Sequence, residues 1–269
     1  MLLFHVVLCS FMPASTGSLG CVTDQAVVRE WVANAQRIVV LTGAGISTDS
    51  GIADYRGPQG VWTKNPEAEK KSDISQYVAD ADLRKASWRR RAHITGPAPQ
   101  PNAGHRALVE FERSGRLLAL VTQNVDGLHL AAGSDPALVV EVHGTTRSVA
   151  CLTCGERGPM DSTLARVRAG EQDPACGRCG GILKAATISF GQALVPADLE
   201  RADNAARRCD MLLAVGTTLG VFPVANMVPT AAAAGAQVVI LNESPTAMDE
   251  RADAVLRGSI SDVLPALLA

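Results

Sequence analysis

The sequence predicts an α/β fold built on a doubly wound, mostly parallel sheet, with a smaller second lobe. Short, wholly apolar runs alternate with helical patterns along most of the chain, as expected for strands that are buried on both faces. Two segments interrupt this alternation, and one of them carries paired cysteines. The 269 residues, 47% of them hydrophobic, suffice for one large domain with such insertions.

The elements follow in chain order. A helix begins after Asp24, whose carboxylate can cap it, and runs to about Gln36. The apolar runs predict strands at 37–42, 117–122, 138–142, 211–216 and 237–241, with a last short one near 254–256. Helices are predicted at about 103–114, 196–208, 223–234 and 261–268. Residues 52–102 hold no strand candidate and end in a loop, and residues 148–183 are rich in turns, so both are predicted to be insertions.

Composition excludes several classes of protein. The formal net charge of −2 gives no overall field that would recruit nucleic acid or an anionic membrane. The apolar content argues against disorder. Residues 1–12 resemble a secretory signal, but they carry no Lys or Arg and are too short to span a bilayer. We interpret residues 1–23 as a disordered or wrongly annotated extension, with a working signal as the alternative, and leave them out of the fold.

Five predicted strands end in a polar or glycine-rich motif. In an open parallel sheet the carboxyl ends share one rim, where ligands bind. Caps and turns explain any one such motif well but all five together poorly. The motifs therefore predict a site for a large polar ligand with a ribose and phosphates. Their residues are Gly43, Ala44, Gly45 and Ser47; Gln123, Asn124 and Asp126; His143; Gly216, Thr217 and Thr218; and Asn242, Glu243 and Ser244.

The first of these motifs resembles a dinucleotide loop without the spacing of a dehydrogenase. Its glycines would let the backbone approach a pyrophosphate, held by amides at a helix N-terminus. Thr48 stands where a dehydrogenase has a third glycine, and no acidic residue ends a nearby second strand. The sequence thus predicts a dinucleotide site but not an ordinary hydride-transfer enzyme.

Four of the seven cysteines have the spacing C-x2-C-x21-C-x2-C. Cys151 and Cys154 form the first pair, and Cys176 and Cys179 form the second. Two such turns can complete a tetrahedron of thiolates around one zinc ion, and a four-cysteine site is closed and therefore structural. A redox pair or four unrelated thiols is the alternative. Reduced thiolates indicate a reducing compartment, which here means the cytoplasm.

Among the five histidines, His143 is the candidate general base. It follows a predicted strand and precedes Gly144, and an imidazole can take a proton from a ribose hydroxyl near neutral pH. The other four, His5, His93, His105 and His129, are interpreted as structural. The basic stretch between Arg84 and Arg91 is interpreted as a solvated helix face.

Taken together, the motifs closely resemble those of the sirtuins, which are NAD-dependent protein lysine deacylases, in a bacterial form. The resemblance covers about residues 24–269 and rests on residues 43–62, 122–129, 142–145, 216–225 and 241–244 and on the paired cysteines. It implies a Rossmann-like NAD-binding domain at 24–51, 103–147 and 184–269. The small lobe would combine a cofactor loop and helical part at 52–102 with a zinc-ribbon module at 148–183.

The resemblance also implies a reaction. The acyl oxygen attacks the nicotinamide ribose carbon as nicotinamide leaves, His143 removes a proton from a ribose hydroxyl, and the products are free lysine and O-acetyl-ADP-ribose. Asn124 and Asp126 would act beside His143. NAD would be consumed as a co-substrate, and its contacts would add Asp54, Tyr55, Arg56 and Ile260 to the residues above. An acetylated protein would bind as an extended peptide, paired with backbone at Phe190 and Gly191. Neither a membrane nor a nucleic acid is expected as a direct partner.

Departures from the family pattern leave alternatives open. Ala53 and Tyr55 replace the usual proline and phenylalanine, and Ser189 and Gln192 replace more usual apolar and acidic residues, which puts peptide affinity in doubt. ADP-ribosyl transfer from NAD is the main rival activity. A zinc-ribbon nucleic-acid module without catalysis is the rival class, but residues 148–183 contain no aromatic residue. Trp88 and Arg91 stand where acid-acyl sirtuins have a Tyr and Arg pair, so we expect acetyl-lysine to be preferred.

Overall fold

The computed structural model describes residues 24–70 and 72–269, so the extension predicted at 1–23 lies outside the described residues. The strands are β1 Ile38–Thr42, β2 Leu117–Thr122, β3 Val139–Glu141, β4 Gly144–Cys151, β5 Arg157–Pro159, β6 Leu183–Thr187, β7 Met211–Val215, β8 Gln237–Leu241 and β9 Ala254–Leu256. The α-helices are α1 Gln25–Asn34, α2 Val61–Lys64, α3 Pro66–Lys70, α4 Ile74–Ala79, α5 Ala81–Ala92, α6 Ala103–Glu112, α7 Leu128–Ala132, α8 Met160–Arg168, α9 Pro196–Arg208, α10 Met227–Ala233 and α11 Ile260–Leu268.

Six parallel strands form the large sheet in the order β3-β2-β1-β7-β8-β9. The predicted fold class is confirmed, and each of these strands lies within one residue of a predicted apolar run. From β1 the chain continues outward in one direction through β2 and β3. It later returns to the other side of β1 with β7. The order therefore reverses between β1 and β7, where an open parallel sheet forms its ligand crevice.

Alternate residues of the central strands face two helical layers, as expected from the two-residue period of a strand. Val39 and Leu41 point into a core built with α9 and α10. Ile38 and Val40 point into a second core built with α1, α6 and α11. All five residues of β1 are buried. Burial on both faces explains why the strand sequences are apolar throughout instead of alternating.

Local capping fixes the ends of several helices. The Asp24 carboxylate accepts a hydrogen bond from the Ala26 amide at 2.9 Å and starts α1 as predicted. The helix predicted at 223–234 instead opens with a 3-10 turn, Val224–Asn226, before α10. The glycine-rich segment after β1 is likewise a 3-10 helix, Ala44–Ser50. Five-residue α7 and all of α8 were not predicted, because short helices leave too few periods of apolar residues to detect.

The small lobe combines an antiparallel sheet in the order β5-β4-β6 with helices α2 to α5 and α8. Trp88 of α5 is 1% exposed and packs with Val149, Met160, Leu164 and Leu183 in a separate core. These three strands were not predicted within the turn-rich cysteine segment. β4 begins at Gly144 and so runs across position 147, where the sequence analysis ends the large domain. The segment boundaries themselves remain a prediction.

Candidate active site

A cleft of about 1800 Å³ opens at the carboxyl ends of β1, β2, β7 and β8 and extends to the small lobe. It is lined by most of the residues that the sequence analysis selected. These are Gly43, Ala44, Gly45, Asp54, Tyr55, Arg56, Gln123, Asn124, His143, Gly216, Thr217, Thr218, Asn242, Glu243, Ser244 and Ile260. Ser47 and Asp126 are adjacent to the cleft but do not line it. One cavity therefore collects segments that lie far apart in the sequence.

The glycines after β1 and β7 pack directly against each other. The Gly45 amide donates to the Gly216 carbonyl at 2.8 Å. A Cβ on Gly45 would lie 2.8 Å from the Gly216 Cα, and a Cβ on Gly216 would lie 2.5 Å from the Ile46 nitrogen. Gly216 also has a φ of +63°. The approach of a pyrophosphate is one reason for these glycines, and the contact between the two loops is a second reason that only the structure shows.

Ser47 links the first loop to the residues after β2. Its hydroxyl donates to the Asp126 carboxylate at 2.8 Å and accepts from the Asn124 side-chain nitrogen, Nδ2, at 3.2 Å. The same Nδ2 donates to the Gly43 carbonyl at 3.0 Å. Asp126 also accepts from the Leu128 amide at 2.9 Å. Ser47 is 0% exposed, so its side chain holds the neighbouring site residues in place and does not itself face the cleft.

His143 lies between β3 and β4 and faces the cleft. Its Nδ1 is 3.0 Å from the Gln123 carbonyl oxygen, which can only accept, so we assign the proton to Nδ1 and leave Nε2 with a lone pair. Burial lowers the pKa of this imidazole below its ordinary value, and the hydrogen bond to Gln123 partly opposes that effect. The ring is therefore neutral and oriented, as a general base requires.

The far end of the cleft is formed by loops after β7 and β8. Gln123 donates from Nε2 to the Thr217 hydroxyl at 2.9 Å and so joins the β2 and β7 loops. The Asn242 side chain donates to the Ser244 carbonyl at 2.7 Å and shapes the β8 loop. Exposed Glu243 lies between them, and Ile260 at the start of α11 closes this end. The loops offer hydroxyl, amide and carboxylate groups suited to a ribose and phosphates.

Tyr55 and Arg56 belong to a loop that reaches over the cleft from the small lobe. The Tyr55 ring packs on Trp62 at 4.5 Å between centroids, and Trp62 packs on Phe190 at 5.5 Å. The Arg56 guanidinium lies 4.5 Å from the Trp62 ring and pairs with Glu69 at 3.0 Å. Trp62 was not selected from the sequence, although it ends the motif at 43–62, and its stacking now explains the loop's conformation.

The expected peptide-pairing backbone at Phe190 is already in use. Its amide donates to the Ser72 carbonyl at 3.2 Å, and its carbonyl accepts from the Ile74 amide at 2.9 Å. The Gln192 amide donates to the Ser189 carbonyl at 3.0 Å, and its side-chain oxygen accepts from the Ser189 amide at 3.1 Å. The chain's own segment before α4 thus takes the backbone groups of Phe190, and the pairing of a peptide with this stretch, at Gly191, stays a prediction.

The small-lobe wall of the cleft is more basic than the sequence suggested. Arg91 is half-buried and lines the cleft with Lys184 instead of facing solvent. Lys184 is 5% exposed and donates to the Thr187 carbonyl at 2.5 Å. Its burial, and to a smaller extent the positive charge of Arg91, lower its pKa to about 8. Arg84 is not solvated either, because it pairs with Asp173 at 2.9 Å. Sequence reasoning missed Lys184, which is the one charged residue of β6.

The four predicted cysteines form a metal site in the small lobe. Their sulfur atoms all lie within 4.8 Å of one another, with 3.5 Å between Cys151 and Cys179 and 3.8 Å between Cys154 and Cys176. A zinc tetrahedron with bonds of about 2.3 Å has sulfur atoms about 3.8 Å apart. Amides of Thr153 and Cys154 approach the Cys151 sulfur at 3.4 and 3.5 Å, which favours the thiolate. The residues fit one structural zinc ion.

The sequence and the fold of this chain are both similar to those of known proteins. The profile described as the Sir2 family matches residues 43–223. A protein of Streptomyces coelicolor, "NAD-dependent protein deacetylase 2", is 48% identical over 231 residues, which cover 86% of this chain and 96% of that protein. A solved structure described as "Structural Basis for the Mechanism and Regulation of Sir2 Enzymes" is 34% identical, with a TM-score of 0.80 and coverage of 91% and 97%.

A second solved structure bears on ligands. "Sir2-p53 peptide-NAD+" is 26% identical, with a TM-score of 0.79, and the match covers 91% of this chain and 98% of that one. Among the residues described here, no helix has the length and apolar character needed to cross a bilayer.

Proposed function

This chain belongs to the Sir2 family, and from that premise we propose how its cleft removes acetyl groups from protein lysines with consumption of NAD. One observation carries the proposal. His143, neutral and fixed through Nδ1, faces the same cleft as the loops after β1, β2, β7 and β8, which suit a dinucleotide. A base and a ribose-binding rim in one cavity fit a reaction in which a ribose hydroxyl must lose a proton.

NAD would lie along the rim of the sheet. The backbone of the segment after β1, from Gly43 to Gly45, would lie beside the phosphates, with Thr217 and Thr218 opposite. Asn242, Glu243, Ser244 and Ile260 would hold the adenosine end. Tyr55 and Arg56 would cover the nicotinamide end, next to Gln123 and Asn124. NAD supplies a ribose carbon that the acyl oxygen can attack as nicotinamide leaves.

The protein's own groups then have separate tasks. Asn124, fixed by Gly43 and Ser47, orients a hydrogen-bonding partner at the reacting end of the cleft. Asp126, held by Ser47, fixes that wall and adds negative charge behind it. His143 Nε2 accepts a proton from the ribose hydroxyl and can return it to a departing group. Hydrolysis then yields free lysine and O-acetyl-ADP-ribose.

The acetylated substrate would enter as an extended peptide from the opposite side. Phe222 and Phe190, 62% and 37% exposed, both line the cleft and suit the apolar parts of a peptide and its lysine stem. The neighbouring solved structure that holds a peptide together with NAD supports a cleft that takes both ligands. Neither a membrane nor a nucleic acid is part of the proposal. We also propose a cytoplasmic location, since four thiolates must stay reduced to hold zinc.

Mass spectrometry of the products from NAD and an acetylated peptide tests the proposal. We expect nicotinamide, deacetylated peptide and O-acetyl-ADP-ribose in equal amounts. A peptide that gains the mass of ADP-ribose would instead support transfer of ADP-ribose, the rival activity. Absence of both products with intact zinc would reject NAD-dependent chemistry at this cleft.

A further inference from the structure

Three buried polar residues that contact the segment after β1, or one another, have no part in the proposed reaction. Asn102, His105 and His129 are 8%, 0% and 2% exposed, and none of them lines the cleft. Desolvating such groups is costly unless they bond to something. Their contacts converge on the two ends of one short stretch of chain, from Thr42 to Ser50.

Asn102 connects the start of α6 to the far end of that stretch. Its side-chain nitrogen donates to the Ile46 carbonyl at 2.7 Å and to the Ser50 hydroxyl at 3.0 Å. Its side-chain oxygen accepts from the amides of Gly104 and His105 at 3.0 and 3.3 Å and caps α6. One side chain thus fulfils two separable roles, since the oxygen caps a helix and the nitrogen tethers a loop.

His129 holds the near end. Its Nε2 lies 3.0 Å from the hydroxyl of Thr42, the last residue of β1, which is itself 0% exposed. The Thr42 carbonyl accepts from the Gln123 amide at 3.0 Å, so the same residue also meets the β2 loop. The His129 ring packs on the His105 ring with 4.9 Å between centroids. His105 Nδ1 in turn lies 3.0 Å from the Asn102 side-chain oxygen.

We propose that Asn102 and His129 are positioning residues that hold the two ends of the Thr42–Ser50 stretch for NAD, with His105 packed between them. This inference rests on the proposed function, because it assigns those residues to the same NAD site. The stretch contains Gly43, Ala44 and Gly45, which line the cleft where we place the phosphates, and also Ser47, which orients Asn124 and Asp126. Release of either end therefore weakens NAD binding without touching the peptide side of the cleft.

Two pairs of variants separate tethering from general stability. Asn102→Asp keeps an oxygen to cap α6 but loses the donor to Ile46, whereas Asn102→Ala loses both. His129→Leu removes the contact with Thr42, whereas His129→Gln keeps an amide within reach of the Thr42 hydroxyl. Ser134→Ala is the matched control, because its buried hydroxyl has no hydrogen-bond partner among the described residues.

The measurements are calorimetric binding of ADP-ribose and the KM values for NAD and for acetylated peptide, with thermal melting to confirm folding. We expect Asn102→Asp and His129→Leu to raise the ADP-ribose Kd and the NAD KM by roughly three- to tenfold, the value of one hydrogen bond, with the peptide KM unchanged. His129→Gln should restore wild-type affinity.

Equal effects on both KM values, or equal ADP-ribose affinity in all the variants, would overturn this inference alone. Wild-type protein that fails to bind ADP-ribose would overturn the proposed function as well. If one of Asn102→Asp and His129→Leu fails to fold, the other decides the matter, since the two variants test opposite ends of the same stretch.

Discussion

Ser47 donates a hydrogen bond to Asp126 at 2.8 Å, and both side chains lie behind the surface that a ligand would touch. The family resemblance implies that both contact NAD, which stays a prediction. The structure adds that one serine orients two residues of the β2 loop, so it also contributes through its neighbours.

Ser47→Ala should therefore lower kcat/KM for deacetylation by about tenfold or more. The change removes the donor to one oxygen of the Asp126 carboxylate and leaves the Leu128 amide on the other, and hydrogen bonds to charged groups contribute about 1.5–3 kcal/mol. Steady-state kinetics with NAD and acetylated peptide measure the effect. Ser114→Ala, at the distant end of α6, is the control. Wild-type kinetics in Ser47→Ala would show that Asp126 needs no such support.

His143→Ala should abolish deacetylation and leave ADP-ribose binding nearly unchanged. Loss of one positioned base costs ~10²–10⁴-fold in rate. In the wild type the rate should fall in acid, at a pH below the ordinary imidazole pKa of 6.5, because only the neutral ring accepts a proton and burial lowers the pKa of His143. His93→Ala, at an exposed histidine, is the control. Near wild-type turnover in His143→Ala would reject the assignment.

Acid should destabilise the fold through the stacked histidines. Burial lowers the pKa of His105 to about 4 and of His129 to about 3, against an ordinary 6.5. The charge of Asp126 raises the pKa of His105 again in part, and that of Arg106 lowers it further. His105 lowers the pKa of His129 further. Between pH 6.5 and 4 the unfolded chain therefore binds more protons than the folded one. The contribution of these two histidines to the free energy of unfolding is therefore fully present above pH 6.5 and falls as the pH drops.

The slope approaches about 1.4 kcal/mol per pH unit for each histidine in that range. Chemical denaturation at pH 7, 6 and 5 measures it, and His129→Gln should make the slope shallower. An unchanged slope in that variant would contradict the assignment.

Replacement of Cys151 or Cys179 by serine should remove zinc and destabilise the small lobe. Wild-type protein should hold about one zinc ion per chain, and metal binding in such sites is coupled to folding. Elemental analysis and thermal melting measure both quantities. Cys209→Ala, at a buried cysteine outside the cluster, should keep its zinc. A metal-free Cys151→Ser protein with wild-type melting and activity would be inconsistent with a structural role.

Acetyl-lysine should be preferred over succinyl-lysine. Trp88 is buried in the small-lobe core and does not reach the cleft, and the Tyr77 hydroxyl is already bonded to the Leu183 carbonyl at 3.0 Å. A succinyl carboxylate would find Arg91, but the nearby Tyr77 phenol already donates its proton elsewhere, and a partly paired buried carboxylate is costly. Comparison of kcat/KM on matched peptides decides the matter. A succinyl preference of tenfold or more, about 1.4 kcal/mol, would contradict it.

The sequence predicted the large domain and its rim well because both depend on local patterns. Apolar runs mark β1 and β7 clearly, and polar motifs at their ends are brought together by the parallel topology. Contacts between distant segments could not be predicted in this way. The pairing of Phe190 with Ser72 and Ile74 leaves no periodic signal in either segment. Nothing in its own strand indicates a role for Lys184, because the cleft that it lines is built from segments far apart in the sequence.

The contact between the glycine loops after β1 and β7 limits how this protein can evolve. Each glycine is opposed by the backbone of the other loop, so a larger residue at Gly45 cannot be accommodated by shrinking a side chain at Gly216. A second mutation in the opposite loop therefore cannot compensate for a side chain at either glycine. Mutations that change substrate choice should instead accumulate in the loop that carries Tyr55 and at the exposed Phe190 and Phe222, where neighbouring side chains can change size to compensate.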